Sequence, residues 1–151
     1  MTIRPSVVSD AAAIESLFRE FVTYLRSVGD ENDYRFSAQQ YVKDGFGPDP
    51  AFRGLVAEDE SGLIGYLLYC RTYDGEYVRN LYIIDLYVRQ TARGRGVGRM
   101  LMNELRNLAT AQGILRLSWS VHKQNAGALR FYEAIGAQYA TDSHVMYLDL
   151  A

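Results

Sequence analysis

A glycine-rich stretch between two patterned segments is the part of this sequence best suited to chemistry. Residues 93–99 are Arg-Gly-Arg-Gly-Val-Gly-Arg. The run before them, residues 81–88, is apolar, aromatic and β-branched, as strands are, and apolar residues recur at helical spacing after them. The first N–H groups of a helix have no partner within the helix and carry partial positive charge. A strand, a tight turn and a helix start are therefore predicted here, and they suit a diphosphate group.

The spacing within this stretch separates the known kinds of phosphate-binding turn. A P-loop requires a lysine after its last glycine, but Arg99 follows Gly98. A dinucleotide-binding turn requires a glycine three residues after Gly96, and this position is again Arg99. The pattern present is Arg-x-x-Gly-x-Gly, from Arg93 to Gly98. A solvent-exposed helix start with basic residues is the alternative. In that case the three glycines would weaken the helix without a compensating interaction.

Composition limits the classes of protein to be considered. A length of 151 residues predicts a single domain over residues 1–151, and 48% hydrophobic with 23% charged residues is typical of a globular protein. The net charge of −2 gives no general attraction to nucleic acid, so no nucleic-acid partner is expected. The single cysteine, Cys70, excludes an internal disulfide and is expected to be a small buried apolar residue.

Metal, membrane and export signals are missing from the sequence. Cysteine and histidine do not recur at metal-ligand spacing, so no metal is expected, and His122 and His144 are expected to be surface or structural residues. No apolar run reaches membrane-spanning length, which predicts no membrane partner. The first residues lack the apolar core of a signal peptide, so a cytoplasmic location is expected.

The periodicity along the chain predicts an α/β domain with a mixed sheet. A helix starts at Asp10 and ends before Gly29, and Ser37 is placed to cap a second, short helix. Asn125 is placed to cap a later helix over residues 126–135. Strands are predicted over residues 2–4, 52–58, 63–73, 76–88 with a bulge or bend, 114–121, and finally within 137–150.

The Arg93–Gly98 pattern, with a strand before it and a helix after it, resembles the acetyl-CoA pyrophosphate loop of the Gcn5-related N-acetyltransferases (GNAT). The predicted element order is also that of this family, and the resemblance covers nearly the whole chain. It implies the GNAT fold, a mixed and mostly antiparallel central sheet flanked by helices, with a splayed strand at the acetyl-CoA site. Shorter matches resemble the diamine (spermidine/spermine) and thialysine acetyltransferase branch: residues 43–47, 55–58, 72–74 and 81–88, and Asn125 followed by Tyr132.

The resemblance implies acetyl-CoA as the cosubstrate and assigns residues to it. The strand segment Leu86, Tyr87 and Val88 would meet the pantetheine arm, which pairs with the main chain of the first and last of these. The pyrophosphate would lie on the amides of Arg93, Gly94, Arg95, Gly96, Val97, Gly98 and Arg99. Asn125 resembles an asparagine that contacts the cofactor in many relatives, although a plain helix cap is the alternative and both roles are compatible.

Two side chains are the catalytic candidates. Tyr132 resembles the tyrosine that lies near the thioester sulfur and acts as general acid, and a phenol in reach could protonate the leaving thiolate. Asp85 is the candidate to orient or deprotonate the amine, because a carboxylate among apolar strand residues needs a reason to be there. A structural carboxylate bonded to backbone, tyrosine or arginine explains Asp85 equally well. Glu58 and Asp142 are weaker candidates.

Two departures from the branch bear on the acceptor. The branch usually has two adjacent acids before the loop, where this chain has Ile84-Asp85. The branch also usually has an acid after a tyrosine near the end of the first helix, where this chain has Leu25 after Tyr24. A polycation would need several carboxylates along its groove. This chain shows fewer such carboxylates, which disfavours a polyamine itself. The leading hypothesis is direct acetyl transfer, in a ternary complex, to a primary amine of a small polyamine-like or lysine-like molecule.

Two other functions remain open at this point. The same loop would serve protein or peptide acetylation, at lysine or at the N-terminus. A non-catalytic acyl-CoA-binding module is the alternative of another class. Relatives in the branch are commonly homodimers, so the resemblance also implies a homodimer.

Overall fold

The computed structural model describes residues 1–141 and 144–150. Asp142, a weaker catalytic candidate, lies outside the described residues. The chain divides into two compact units, Met1–Ser120 and Val121–Ala151. Among the described residues, no helix combines the length and the apolar composition needed to cross a membrane.

The first unit contains a five-stranded mixed sheet. Its strands are β1 (Thr2–Pro5), β2 (Arg53–Asp59), β3 (Gly62–Tyr73), β4 (Arg79–Val88) and β5 (Arg116–Trp119), and they lie in that order across the sheet. The first four are antiparallel to their neighbours, and β5 is parallel to β4. The prediction of a mixed, mostly antiparallel sheet is confirmed.

Helices cover both faces of this sheet. The first unit holds α1 (Ala11–Ser27), α2 (Ala38–Gly45) and α3 (Val97–Ala111), and the second unit holds α4 (Ala126–Ala134). Ser37 caps α2 as predicted, because its side chain accepts a hydrogen bond from the amide of Gln40. Successive strand residues point to opposite faces, and α1 and α3 each pack on several strands of the sheet.

The core on the α1 side is aromatic. Ile14 and Leu17 of α1 are fully buried, and they belong to one cluster with Tyr66 of β3 and Tyr87 of β4. On the opposite face, the fully buried Leu101 belongs to α3. Two helices thus hold β4 from both sides, and β4 is the strand that carries Asp85.

Two predicted strands are longer than the observed ones. The strand predicted over 76–88 starts at Arg79, because the preceding turn extends to Tyr77, whose φ of 61° is left-handed. Its predicted bulge is confirmed between Ile83 and Asp85, where the register with β3 shifts. The strand predicted over 114–121 is shorter, Arg116–Trp119.

The last strands, predicted within 137–150, are wrong for the residues the structure describes there. Residues 137–141 and 144–150 contain no strand, and the apolar side chains from Val145 to Leu148 are more than 80% exposed. A strand is stable only beside a neighbouring strand. The described part of the second unit holds α4 and no strand that could pair with this segment.

Candidate active site

The glycine turn between β4 and α3 has the geometry of an anion cradle. Gly94 and Gly96 have φ values of 77° and 76°, in the left-handed region that other residues avoid. Apart from the adjoining residues of the turn, no atom of the described residues lies within 4 Å of the place where a Cβ of either glycine would stand, so a side chain there would enter open space. The first helical hydrogen bond runs from the amide of Met100 to the carbonyl of Gly96, at 3.0 Å.

That first hydrogen bond determines which amides remain available. The amides of Val97, Gly98 and Arg99 precede this first bond in the chain, so no carbonyl of the helix accepts a hydrogen bond from them. The predicted strand, turn and helix start are confirmed, and the turn fits a diphosphate group.

Strand β4 separates from β5 before it reaches this turn. The two strands pair from Asn80 with Arg116 to Ile83 with Trp119, and there β5 ends. Strand β4 continues for five more residues to Val88. Within the first unit, no strand pairs with this edge of β4 from residue 84 to residue 88, and this is the edge called open below, as expected for a splayed strand.

The direction of the main-chain groups along this edge follows from the ladder with β3. The amide of Arg89 donates to the carbonyl of Ile64, at 2.9 Å, so Arg89 bonds toward β3. Main-chain groups alternate in an antiparallel pair. Those of Leu86 and Val88 therefore point away from β3 to the open edge, which suits an extended arm with amide groups such as pantetheine.

The structure places Tyr87 differently from its neighbours. By the same alternation its main chain bonds toward β3, where it faces Tyr66. Its ring is 5% exposed and stacks on Phe21 of α1, with 5.1 Å between the ring centroids. Tyr87 thus belongs to the core between α1 and the sheet, and its main chain is not directed to the open edge.

Two of the predicted loop arginines already have partners in the protein. The Arg93 guanidinium lies over the rings of Tyr24 and Tyr87, 5.2 and 5.6 Å from their centroids. The Nε of Arg93 also donates to the carbonyl of Val88, at 3.0 Å. Because that carbonyl is already bonded, the amide of Val88 is the main-chain group of this residue that remains for a ligand at the open edge. These contacts fasten the turn to α1 and β4, a role that the sequence did not reveal.

Arg95 binds the turn between β2 and β3. Its guanidinium lies 2.9 Å from a carboxylate oxygen of Asp59. Hydrogen bonds from the hydroxyl and amide of Ser61, together with Arg95, lower the pKa of Asp59 to about 2. The Arg99 side chain is exposed and has no hydrogen bond or ion pair within the described part of the chain. Of the three arginines, Arg99 is the one whose charge is available to a ligand.

Asp85 lies at a cavity of about 340 Å³. Aromatic side chains of α1, of the segment before α2 and of α2 itself form much of its wall, including Phe18, Phe36 and Tyr41. The polar side chains at the wall are Tyr34, Arg35, Gln40, Asp44 and Asp85. A mostly apolar cavity with a few polar groups is typical of a small-molecule site.

The Asp85 carboxyl is set up to exchange a proton near neutral pH. Burial raises its pKa to about 7, and a long hydrogen bond of 3.5 Å from the hydroxyl of Tyr66 opposes that rise only in part. Tyr66, which donates this bond, is fully buried and does not line the cavity. The tyrosine partner expected of a structural carboxylate is therefore present, and the raised pKa leaves a role in proton transfer as a prediction.

The segment between α1 and α2 forms part of the cavity wall, which the sequence did not indicate. Asp30 is 2% exposed and accepts hydrogen bonds from the amide of Asn32, at 2.9 Å, and from the hydroxyl of Tyr34. The rings of Tyr34 and Phe36 both contact Phe18. A polar stretch that looks like a loop in the sequence thus holds a fixed position in the cavity wall. Asp30, the acid at its start, is the one local feature of the sequence that could have indicated this.

Asn125 and Tyr132 belong to the second unit. Asn125 is 6% exposed and caps α4, as predicted, by accepting from the amide of Ala128 at 3.1 Å. Tyr132 is half-buried, and its ring meets Phe131 edge to face with 5.2 Å between centroids. Seven residues are close to two helical turns, so Asn125 and Tyr132 lie on the same side of α4.

The remaining candidates lie elsewhere. Glu58 accepts from Arg4 at 2.9 Å, in a cluster with Asp10 at the β1 edge of the sheet, and does not line the cavity. His122 accepts from the amide of Gln124 at 3.2 Å in the turn before α4. Among the described residues, no three histidine, cysteine, aspartate or glutamate side chains come together as a metal site.

Comparison with known proteins matches the chain to one family. The sequence model of the acetyltransferase (GNAT) family matches residues 12–137. A thialysine N-epsilon-acetyltransferase of Bos taurus is 32% identical over 149 residues, covering 93% of this chain and 86% of the relative. A spermidine/spermine N(1)-acetyltransferase-like protein of Homo sapiens is 31% identical over 108 residues, which cover 67% of this chain and 16% of that protein. The predicted resemblance to this branch is confirmed.

Solved structures agree on the fold. A tetramutant of a Bacillus halodurans protein superposes with a TM-score of 0.79 and 22% identity, covering 99% of this chain and 100% of its own. At this level of identity the likeness concerns the arrangement of helices and strands.

Proposed function

The chain belongs to the acetyltransferase (GNAT) family and is an acetyl-CoA-dependent N-acetyltransferase, and from this premise we propose that its acceptor is the primary amine of a small molecule. The observation that carries the proposal is Asp85, a carboxyl with a pKa of about 7 at the wall of a 340 Å³ apolar cavity. The cavity is partly open to solvent, and its volume of about 340 Å³ is large enough for a small amine. The bovine relative's name, thialysine N-epsilon-acetyltransferase, supports a lysine-like amine.

The proposed cosubstrate position follows the open edge of β4. Acetyl-CoA supplies the acetyl group as an activated thioester. The main-chain groups of Leu86 and the amide of Val88 would hold its pantetheine arm, and the amides of Val97 to Arg99 would hold its pyrophosphate at the start of α3. Asp85 directly precedes Leu86 on the same strand, so the cavity and the open edge adjoin. Asn125 is proposed as a further contact.

Proton transfer is assigned to two side chains. A primary amine is mostly protonated at neutral pH, and its nitrogen must lose a proton before or during attack on the thioester carbonyl. Asp85, with a pKa near the working pH, is proposed to accept that proton, directly or through water. Tyr132 is proposed to donate a proton to the departing thiolate of CoA. Transfer would be direct, within a ternary complex.

The domain organisation, the oligomeric state, the location and the partners of the enzyme are also proposed. Residues 1–151 are proposed to act as one acetyltransferase domain, supported by a family match that runs across the boundary between the two units. A homodimer is proposed because relatives in the resembled branch commonly form one. A cytoplasmic location and the absence of nucleic-acid and membrane partners are proposed from the charge and composition of the sequence.

The test is thiol release from acetyl-CoA by the purified protein against a panel of amines: spermidine, putrescine, lysine, thialysine, an aminoglycoside and a lysine-containing peptide. Turnover with a small amine is expected, and Asp85→Asn should lower kcat about 100-fold or more. Asp49→Asn, which changes an exposed carboxylate in the α2–β2 connection, is the matched control.

The other functions are outcomes of the same assay. Turnover with the peptide and none of the small amines would establish protein acetylation instead. Binding of acetyl-CoA without turnover of any acceptor would establish a binding module.

A further inference from the structure

The backbone around Arg35 is held firmly on both sides. Its neighbours Tyr34 and Phe36 both contact the ring of Phe18, at centroid distances of 5.7 and 4.4 Å. The hydroxyl of Tyr34 also donates to the buried carboxylate of Asp30. Because residues before and after Arg35 are anchored, its side chain starts from a fixed point at the cavity wall.

The guanidinium of Arg35 is available to a ligand. Its side chain lines the cavity and is exposed, and in the described part of the chain it has no ion pair or hydrogen bond. Arg26, which precedes the same segment, instead donates to the carbonyls of Asp30 and Asn32. A guanidinium offers a planar fork of donors that matches a carboxylate.

The cavity thus presents opposite charges at two depths. Asp85 lies on the sheet with a desolvated carboxyl, whereas Arg35 is exposed at the rim. Phe36 and Leu68 line the same cavity, and their apolar side chains suit a methylene chain. The other carboxylate at the wall, Asp44, already accepts a hydrogen bond from the side-chain amide of Gln40.

We infer that Arg35 binds the carboxylate of an ω-amino carboxylic acid whose terminal amine lies at Asp85. This inference rests on the proposed function, since it takes that amine as the acetyl acceptor. A diamine of the same length would bring a second ammonium group against the Arg35 guanidinium, and that like-charge contact disfavours it. Arg35 is thereby a specificity-determining residue that selects an amino acid over the corresponding diamine.

The test compares lysine with cadaverine, which is lysine without its carboxylate. The wild-type protein should favour lysine in kcat/KM by about tenfold or more, the effect of one charge-assisted bidentate contact. Arg35→Gln should lower kcat/KM for lysine about tenfold, mainly through KM, and should raise the rate with cadaverine because the repelling cation is gone. Arg35→Lys should recover part of the preference. Arg53→Gln, which changes an exposed arginine outside the cavity wall, is the control.

Two results would overturn the inference while leaving the proposed function intact. One is turnover of lysine and cadaverine at the same rate in wild type and Arg35→Gln. The other is a loss with cadaverine on Asp44→Asn that exceeds the loss with lysine on Arg35→Gln, which would indicate a diamine site.

Calorimetry of lysine binding in the presence of CoA tests the contact with Arg35 separately from acetyl transfer. Lysine binding that requires Arg35, in a protein that acetylates no amine, would refute the proposed function and support the carboxylate contact. Lysine binding that is unchanged in Arg35→Gln would overturn the contact.

Discussion

Replacing Asp85 by asparagine should make the protein more stable at neutral and alkaline pH while it slows catalysis. An asparagine has almost the same shape as the aspartate and keeps an oxygen for the hydroxyl of Tyr66, but it carries no charge that burial would penalise. Burial raises the pKa of Asp85 from its ordinary 3.8 to about 7. The folded protein therefore holds a proton between those two values that the unfolded chain has released.

The magnitude follows from this pKa shift. Where the folded state binds more protons than the unfolded one, the free energy of unfolding falls as pH rises. The stability linked to Asp85 is thus fully present below the unfolded pKa and is lost as pH rises through the folded pKa. Between pH 5 and pH 8 the wild-type protein should lose roughly 2.5 kcal/mol that Asp85→Asn keeps, at about 1.4 kcal/mol per pH unit below pH 7.

The assay is urea unfolding of both proteins at pH 5, 6, 7 and 8, with the difference between their free energies of unfolding plotted against pH. Taking the difference cancels the groups that the two proteins share. The curve should rise with pH and level off near pH 8. A difference that does not vary with pH would show that the carboxyl is not desolvated in the folded state, and it would remove the argument for Asp85 as proton acceptor.

Three further substitutions test other parts of the site. Gly96→Glu should abolish acetyl-CoA binding. The new side chain would enter the open space before the turn, would be strained at a φ of 76° and would bring a like charge toward the pyrophosphate. Unchanged acetyl-CoA affinity in calorimetry would refute the assignment of this loop to the pyrophosphate. Tyr132→Phe should lower kcat at least tenfold with little change in acetyl-CoA affinity, and wild-type turnover would remove Tyr132 as the acid. Asp59→Asn should raise the KM for acetyl-CoA about two- to fivefold by releasing Arg95 from the β2–β3 turn, and Asp59→Glu should restore part of it; an unchanged KM would show that this ion pair does not position the loop.

The sequence predicted the elements whose signals are local. Glycine at positions 94 and 96 indicated a turn that other residues avoid, and the structure confirms left-handed φ values at both. The residue types and positions of Ser37 and Asn125 predict helix caps, and both accept the predicted kind of backbone hydrogen bond. These features depend on a few neighbouring residues, so one segment of sequence suffices to identify them.

The failed prediction at the C-terminal segment has the opposite cause. Residues 137–150 have the apolar and aromatic composition of strands, but a strand also needs a partner that supplies backbone hydrogen bonds. Whether a partner is present is decided by the packing of other segments. Composition alone cannot report it.

The sequence by itself determined the strand, glycine turn and helix that are proposed to bind acetyl-CoA, and it singled out Asp85 as an acid in an apolar strand. Only the tertiary structure decided what surrounds that acid. The cavity joins β4 to α1, to α2 and to the segment that carries Arg35, about 50 residues earlier in the chain. The pKa of a carboxyl and the freedom of a guanidinium depend on burial and on partners distant in sequence, and those are properties of the folded chain.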